Sequence, residues 1–317
     1  MNNIINIRSL SKRWYRYWHP SEWHHNDKIW RYVDIQRDEQ GRLCEISCLG
    51  QVVEQISWQT LQTRQQRELV IVGSGLSALK INWDMLVDVD VLMVNGAVSL
   101  LDGRPHIQCH YYMVIDQGFV QDQMALMQPI LQRPEVVFIT TVFCLNKVYE
   151  LLGRDGVKAQ ICILEERQKP VYQAKPSAEM LYQDSLLHPE QLYWQAHTAI
   201  GFGLDIQRGF VGGGTVVYPA LQWAAAMAYR RVFLAGVDMK HFHQPRFYET
   251  EHNRLPTKLD ADFKTVIEPS FALAAVLLQA KGIECLNLCV DSGLGMIFSS
   301  VWMGITIVPP LLPLSSL

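Results

Sequence analysis

The sequence predicts an α/β fold in which a mostly parallel sheet is flanked by helices, behind a small N-terminal extension. Three observations predict it. Short, largely apolar runs recur at 69–72, 89–94, 111–115, 136–140, 159–163, 231–234 and 284–288. Longer, partly helical segments such as 220–229 and 271–281 separate them. Strands without a polar side, joined by crossovers, are what a parallel sheet covered on both faces requires. Finally, 317 residues at 49% hydrophobic and 19% charged can bury a substantial core, which excludes disorder over most of the length.

From the N-terminus, residues 8–30 interleave bases and rings: Arg8, Lys12, Arg13, Trp14, Tyr15, Arg16, Tyr17, Trp18, then Trp23 and Trp30. Two readings stand. The rings pack an arm onto the main domain, or they form an interfacial patch in which cations meet anionic headgroups. Residues 30–58 then alternate around the turn Asp38-Glu39-Gln40-Gly41, which predicts a three-stranded antiparallel meander. The Gln- and Arg-rich stretch 59–67 leads into the main domain, so the expected division is 1–66 and 67–317. The polar stretch 240–262 is the expected lid. Residues 292–317 carry no charge but hold Gly293, Gly295, Pro309, Pro310 and Pro313, which fit a packed loop-and-strand tail better than a spanning helix. A membrane-touching tail is the lesser reading.

No secretory pattern is expected, since Met1 to Leu10 is too short and too polar for the apolar region of a signal and Lys12, Arg13 and Arg16 follow directly. Seven cysteines without a dense framework predict reduced thiols in a reducing compartment. The pairs Cys44/Cys48 and Cys285/Cys289 have unusual zinc spacing and no adjacent His, so buried strand thiols are expected. A net charge of -3 excludes a global nucleic-acid footprint.

Strand 69–72 runs into Gly73-Ser74-Gly75-Leu76-Ser77-Ala78, a loose G-x-G-x-x-A after a strand. That admits a dinucleotide site, but no regular amphipathic helix follows. The next strand ends in Asn95-Gly96 instead of an acid for an NAD ribose. The two glycines would let backbone approach a phosphate, with Ser74 and Ser77 adding hydroxyls; a plain tight turn is the competing reading. A second glycine cluster, Gly212-Gly213-Gly214-Thr215, leads into the helical run 220–229, and strand 231–234 ends in Ala235-Gly236-Val237-Asp238. Two such turns at the edge of one parallel sheet describe a Rossmann-like nucleotide-binding crevice built for a phosphate.

These residues together resemble the lipopolysaccharide-core Kdo transferases of the WaaZ (RfaZ) type, from about residue 68 to residue 291. The likeness is strongest over 202–215 and over Gly236, Val237 and Asp238 through Arg246-Phe247-Tyr248, Glu251, Asn253, Pro256, Leu259 and Asp262-Phe263-Lys264. More distantly the chain is similar to bacterial CMP-sialic acid transferases, on Gly73-Ser74-Gly75, Ser77, Asn95 and Asp116. There Ser74 and Asp116 stand where those enzymes carry asparagine.

The resemblance implies a metal-independent glycosyltransferase. It would take a CMP-linked Kdo, or a related ulosonic acid, to a lipid-linked core acceptor in the cytoplasm, or peripherally at the inner face of the inner membrane. No cofactor is expected. By the resemblance, Gly73, Ser74, Gly75, Ser77 and Asn95 would cradle CMP with Asp116 nearby. Gly214, Thr215, Gly236, Asp238, Arg246 and Tyr248 complete the expected binding set. The sialyltransferases use a histidine upstream of the second glycine segment. Asp205 stands there here and is the candidate base, with a turn or N-cap acid as the competing role and His197 as a weaker substitute. Arg246 or Arg208 would fork onto the sugar carboxylate. Asp88-Val89-Asp90, Asp260-Ala261-Asp262 and His241-Phe242-His243 are expected to bind no metal. An NAD(P) oxidoreductase and a non-catalytic membrane-associated scaffold are the alternatives.

Overall fold

In the computed structural model, residues 2–307 are described apart from Gln65, Glu251, Asn253, Met296, Met303 and Gly304, and side chains are described over 10–298 apart from the same internal positions. Glu251 and Asn253 of the expected pattern, and Pro309, Pro310 and Pro313 of the tail, lie outside the described residues. The chain forms two compact units, residues up to 56 with 114–212, and 57–113 with residues from 213 onward.

The second unit holds most of the parallel sheet. Its order is Ile305–Ile307, Ser299–Trp302, Glu284–Asn287, Arg231–Ala235, Glu68–Val72, Asp90–Val94, Tyr111–Val114. Neighbours pair in parallel except Ile305–Ile307, which is antiparallel to Ser299–Trp302. The fold is therefore α/β and Rossmann-like, as expected. The apolar runs become strands because no face of them meets water: Val70, Ile71, Leu92, Met93, Val232 and Leu234 are wholly buried. Each such side chain contributes about 1.5–3 kcal/mol over its exposed state. Helices Val217–Ala226 and Glu268–Ala280 flank the sheet, with the Tyr218 and Phe271 rings 5.8 Å apart. The first crossover has only short 3-10 turns, Leu76–Lys80 and Trp83–Met85, in keeping with the missing amphipathic pattern there.

The chain leaves Glu68–Val72 toward Asp90–Val94 on one side and returns at Arg231–Ala235 on the other. Strand order thus reverses between Glu68–Val72 and Arg231–Ala235. In open α/β sheets the crevice outside the carboxyl ends at such a reversal is where ligands bind.

The first unit contains helix Asn2–Trp18, the meander Val33–Arg37, Leu43–Cys48 and Gln51–Val52, and the parallel pair Val137–Thr140 and Gln160–Ile163. The third meander strand is shorter than expected. Gln55 instead bridges Ile161, and Trp58 opens helix Trp58–Arg64 in the other unit. The extension does not stand apart as 1–66. Arg37 forks onto Glu165 at 2.6 and 2.8 Å, and Tyr172 donates its hydroxyl to the carbonyls of Ile29 and Val33. A bidentate guanidinium–carboxylate pair and a half-buried phenol fix residues 1–56 to 114–212 as one body. All seven cysteines are free thiols. Among the described residues no helix is long and apolar enough to cross a membrane.

Candidate functional site

Three loops meet at the carboxyl edge of the second unit's sheet. After Glu68–Val72, Gly73 donates its N–H to the Ala235 carbonyl at 2.7 Å and Gly75 donates to the Gly236 carbonyl at 2.9 Å. A Cβ on Gly73 would stand 2.6 Å from the Gly236 oxygen. One on Gly236, whose φ is +65°, would stand 2.5 Å from the Gly73 oxygen. These glycines therefore exist to bring two loop backbones together. Both amides are committed to neighbouring carbonyls, so a phosphate approaching this loop would have to be met by other groups. Asp238 then lies over the loop, accepting the Ser77 N–H at 3.1 Å on Oδ2 and the Ser77 hydroxyl on Oδ1. A Cβ on Gly75 would come 2.6 Å from the Asp238 carboxyl carbon, so this carboxylate is what requires glycine there.

After Asp90–Val94, Asn95 takes a left-handed φ of 48°, which asparagine tolerates better than most residues. Its main-chain carbonyl accepts the Tyr112 hydroxyl at 3.1 Å. Its side-chain Oδ1 is buried and has no hydrogen-bond partner among the described residues. Such an orphaned acceptor is costly unless something donates to it. The Tyr248 ring lies directly on Gly96, where any side chain would collide with it. Burial foremost pushes the Tyr248 phenol up to about 12, with Arg246 opposing and Glu249 adding.

Tyr248 belongs to the expected lid, and the lid is fastened. Phe247 donates its N–H to the Ser74 carbonyl at 3.3 Å. Arg246 Nη1 reaches Glu249 Oε1 at 2.6 Å, while Glu249 also accepts the N–H groups of Arg246 and Leu255. The Glu249 side chain is 2% exposed. Arg246 is thus engaged with an acid of its own segment, where the sequence suggested the sugar carboxylate. A cavity of about 370 Å3 is lined by Phe242, His243, Arg254, Leu255, Pro256 and Thr257, at the lower end of ligand-pocket sizes.

The structure thus gathers Gly73, Ser74, Gly75, Ser77, Asn95, Gly236, Asp238, Arg246 and Tyr248. It gives Gly214 and Thr215 other neighbours. Gly214, at φ +77°, packs on Ile267, and the Thr215 hydroxyl caps the Val217 N–H at 3.4 Å. The turn that meets the first loop is Gly236, not the second glycine cluster.

Two expected residues belong to the first unit and have local work there. Asp116 caps helix Gln117–Asp122 through the Gly118 N–H at 2.8 Å. Asp205 caps Ile206–Arg208 through the Gln207 N–H at 3.1 Å and pairs with Arg42 at 3.0 Å. That is the capping role weighed against catalysis. Sequence reasoning named Gly96 and Phe247 without giving them a place in the site, and it missed Glu249; Asn95-Gly96 at a strand end marks a tight turn and was the available signal. Among the described residues no three His, Cys, Asp or Glu side chains gather as a metal set.

No protein-family model matches the chain. It is 24% identical over 217 residues, 66% of its own length, to a probable 3-deoxy-manno-octulosonic acid transferase of Salmonella typhimurium, covering 78% of that protein. It is 23% identical over 217 residues to the probable transferase of the same sugar in Escherichia coli K12, 65% of this chain and 73% of that one. Among solved structures it is similar to the sialyltransferase CstII of Campylobacter jejuni bound to cytidine-5'-monophosphate, with a TM-score of 0.42 and 13% identity over 80% of this chain and 96% of that one. The α-2,3-sialyltransferase Cst-I of the same organism gives 0.41 and 13%, over 77% and 81%. The chain's sequence relatives are thus probable Kdo transferases, which are glycosyltransferases.

Proposed function

We propose that the chain is a glycosyltransferase that moves Kdo, or a related ulosonic acid, from a CMP-linked donor to the inner core of lipopolysaccharide. The observation that carries this reading is the likeness over 217 residues to two probable Kdo transferases. The reversal of strand order supports a ligand at the carboxyl edge. There the unpartnered Asn95 Oδ1 suits an amino or hydroxyl donor of a cytidine. On this reading the Ser74 hydroxyl and cations of 240–262 would meet the lone phosphate ester, and no divalent ion is called for.

In the proposed step the acceptor hydroxyl oxygen bonds to the anomeric carbon. The bond from that carbon to the phosphate oxygen breaks, CMP leaves with the electron pair, and a carboxylate takes the hydroxyl proton. Two carboxylates are candidates. Asp205 is the base the resemblance implies. Asp238 is favoured by its place at the carboxyl end of a central strand, held by Ser77. Asp116 remains a proposed part of the donor site on the resemblance, and Gly214 and Thr215 on the reading of the second glycine turn. With a lipid-linked acceptor, the proposed reaction would run in the cytoplasm or peripherally at the inner face of the inner membrane.

The test is incubation of the full chain with CMP-Kdo and a deacylated core oligosaccharide. The expected result is release of CMP matched by an acceptor heavier by one sugar. Decay of the donor no faster than its spontaneous hydrolysis contradicts the proposal. Between Asp205→Asn and Asp238→Asn, the variant that loses about 10²–10⁴ in kcat with KM kept marks the base.

A further inference from the structure

Helix Asn2–Trp18 carries the bases Arg8, Lys12, Arg13 and Arg16 and no acid. Leu10, Trp14, Tyr17 and Trp18 follow at steps of four, three and one, which places them within about 100° of arc. They are 51%, 57%, 79% and 68% exposed. The adjoining arc is the one the fold uses. Ser11 and Tyr15 are buried, with the Tyr15 ring stacked on His19 at 3.9 Å and tilted on Trp30 at 5.5 Å. Arg16 is fixed on the buried Asp27 carboxylate at 2.5 Å. The helix is therefore held along one arc while the next, bearing three large rings, is uncovered. Adjacent bare apolar side chains of this size mark an interaction surface.

We infer that this face docks on an anionic lipid bilayer, with the helix lying in the plane of the interface. Ring chemistry and charge select that occupant. Indole and phenol rings, apolar in body and polar at one edge, suit the boundary between headgroups and acyl chains. A helix with bases and no acid is drawn to anionic headgroups. Arg13 borders the ring arc beside Tyr17, so its charge stays at the phosphate level while the rings sink. Pairing with a second copy would set the same bases against each other. The inference deepens the proposed lipid-linked acceptor by naming how the chain reaches a membrane. It is read without any sugar donor.

The test uses the full chain with sedimenting vesicles of phosphatidylcholine, alone or mixed with phosphatidylglycerol. Binding to the mixed vesicles, with a blue shift of tryptophan emission, is expected. The triple variant Trp14→Ser, Tyr17→Ser, Trp18→Ser should bind about tenfold more weakly. Lys12→Gln with Arg13→Gln should weaken binding less and remove its salt sensitivity. All three rings are exposed, so an unchanged thermal midpoint verifies that the triple variant is folded. Equal sedimentation of wild type and triple variant overturns the inference. So does absence of vesicle binding, or a triple variant altered only in concentration-dependent self-association. Vesicle binding without sugar transfer counts against the proposed activity alone.

Discussion

Asp90 sits buried at the amino end of its strand, where it accepts the Tyr229 hydroxyl at 2.5 Å and the Gln66 N–H at 2.8 Å. Tyr229→Phe leaves that carboxylate short of a donor and should cost about 1.5–3 kcal/mol, read as a lower denaturant midpoint at constant slope. Beside it, burial holds the His110 imidazole below the ordinary value of 6.5, against the attraction of Asp90. Its Nδ1 accepts the Val91 N–H at 3.1 Å, a bond that protonation there would remove. The folded chain therefore binds this proton less readily than the unfolded one. The contribution is fully present above 6.5 and is lost as pH falls below it toward the folded value. His110→Gln should flatten that acid limb, measured as denaturant midpoints on either side of the value; an unchanged slope with pH contradicts the assignment. Residues such as these were illegible in the sequence, because their partners lie far along the chain. The two glycines of the first loop were legible as a tight approach, but what approaches them is the Gly236 backbone and, at Gly75, the Asp238 carboxylate.

At the scale of elements, the strands were the legible part. A parallel strand buried on both faces writes itself as a largely apolar run, so the positions of Glu68–Val72, Asp90–Val94 and Arg231–Ala235 followed directly. The meander's last strand did not follow, since residues 52–58 alternate but their backbone is claimed by Ile161 and by a helix start. The lid was legible as a polar stretch and its fastening was not. Glu249 ties Arg246 and Leu255 across six residues, with no periodicity to announce it. Glu249→Gln should loosen this segment without touching the sheet. Limited proteolysis should then cut within 240–262 several-fold faster at an unchanged global midpoint. Equal cleavage rates would show that the tie does not hold the lid. Gly96→Ala tests the same closure from below. It should cost about 1–3 kcal/mol with Tyr248 present and little in a Tyr248→Ala background, so the two changes couple in a double-mutant cycle.

For the molecule as a whole, composition and strand spacing were enough to name the fold class. They did not reveal that residues 1–56 pack with 114–212, because that body is held by single contacts such as Arg37–Glu165 and not by any pattern. The proposed transfer requires the carboxyl edge around Asn95 and Asp238 to receive a cytidine monophosphate. Calorimetric titration of the full chain with CMP, beside NADH as control, tests it most directly. The expected result is saturable heat for one CMP per chain, abolished by Asn95→Leu, and none for NADH. Heat from NADH, or silence toward CMP, would contradict it.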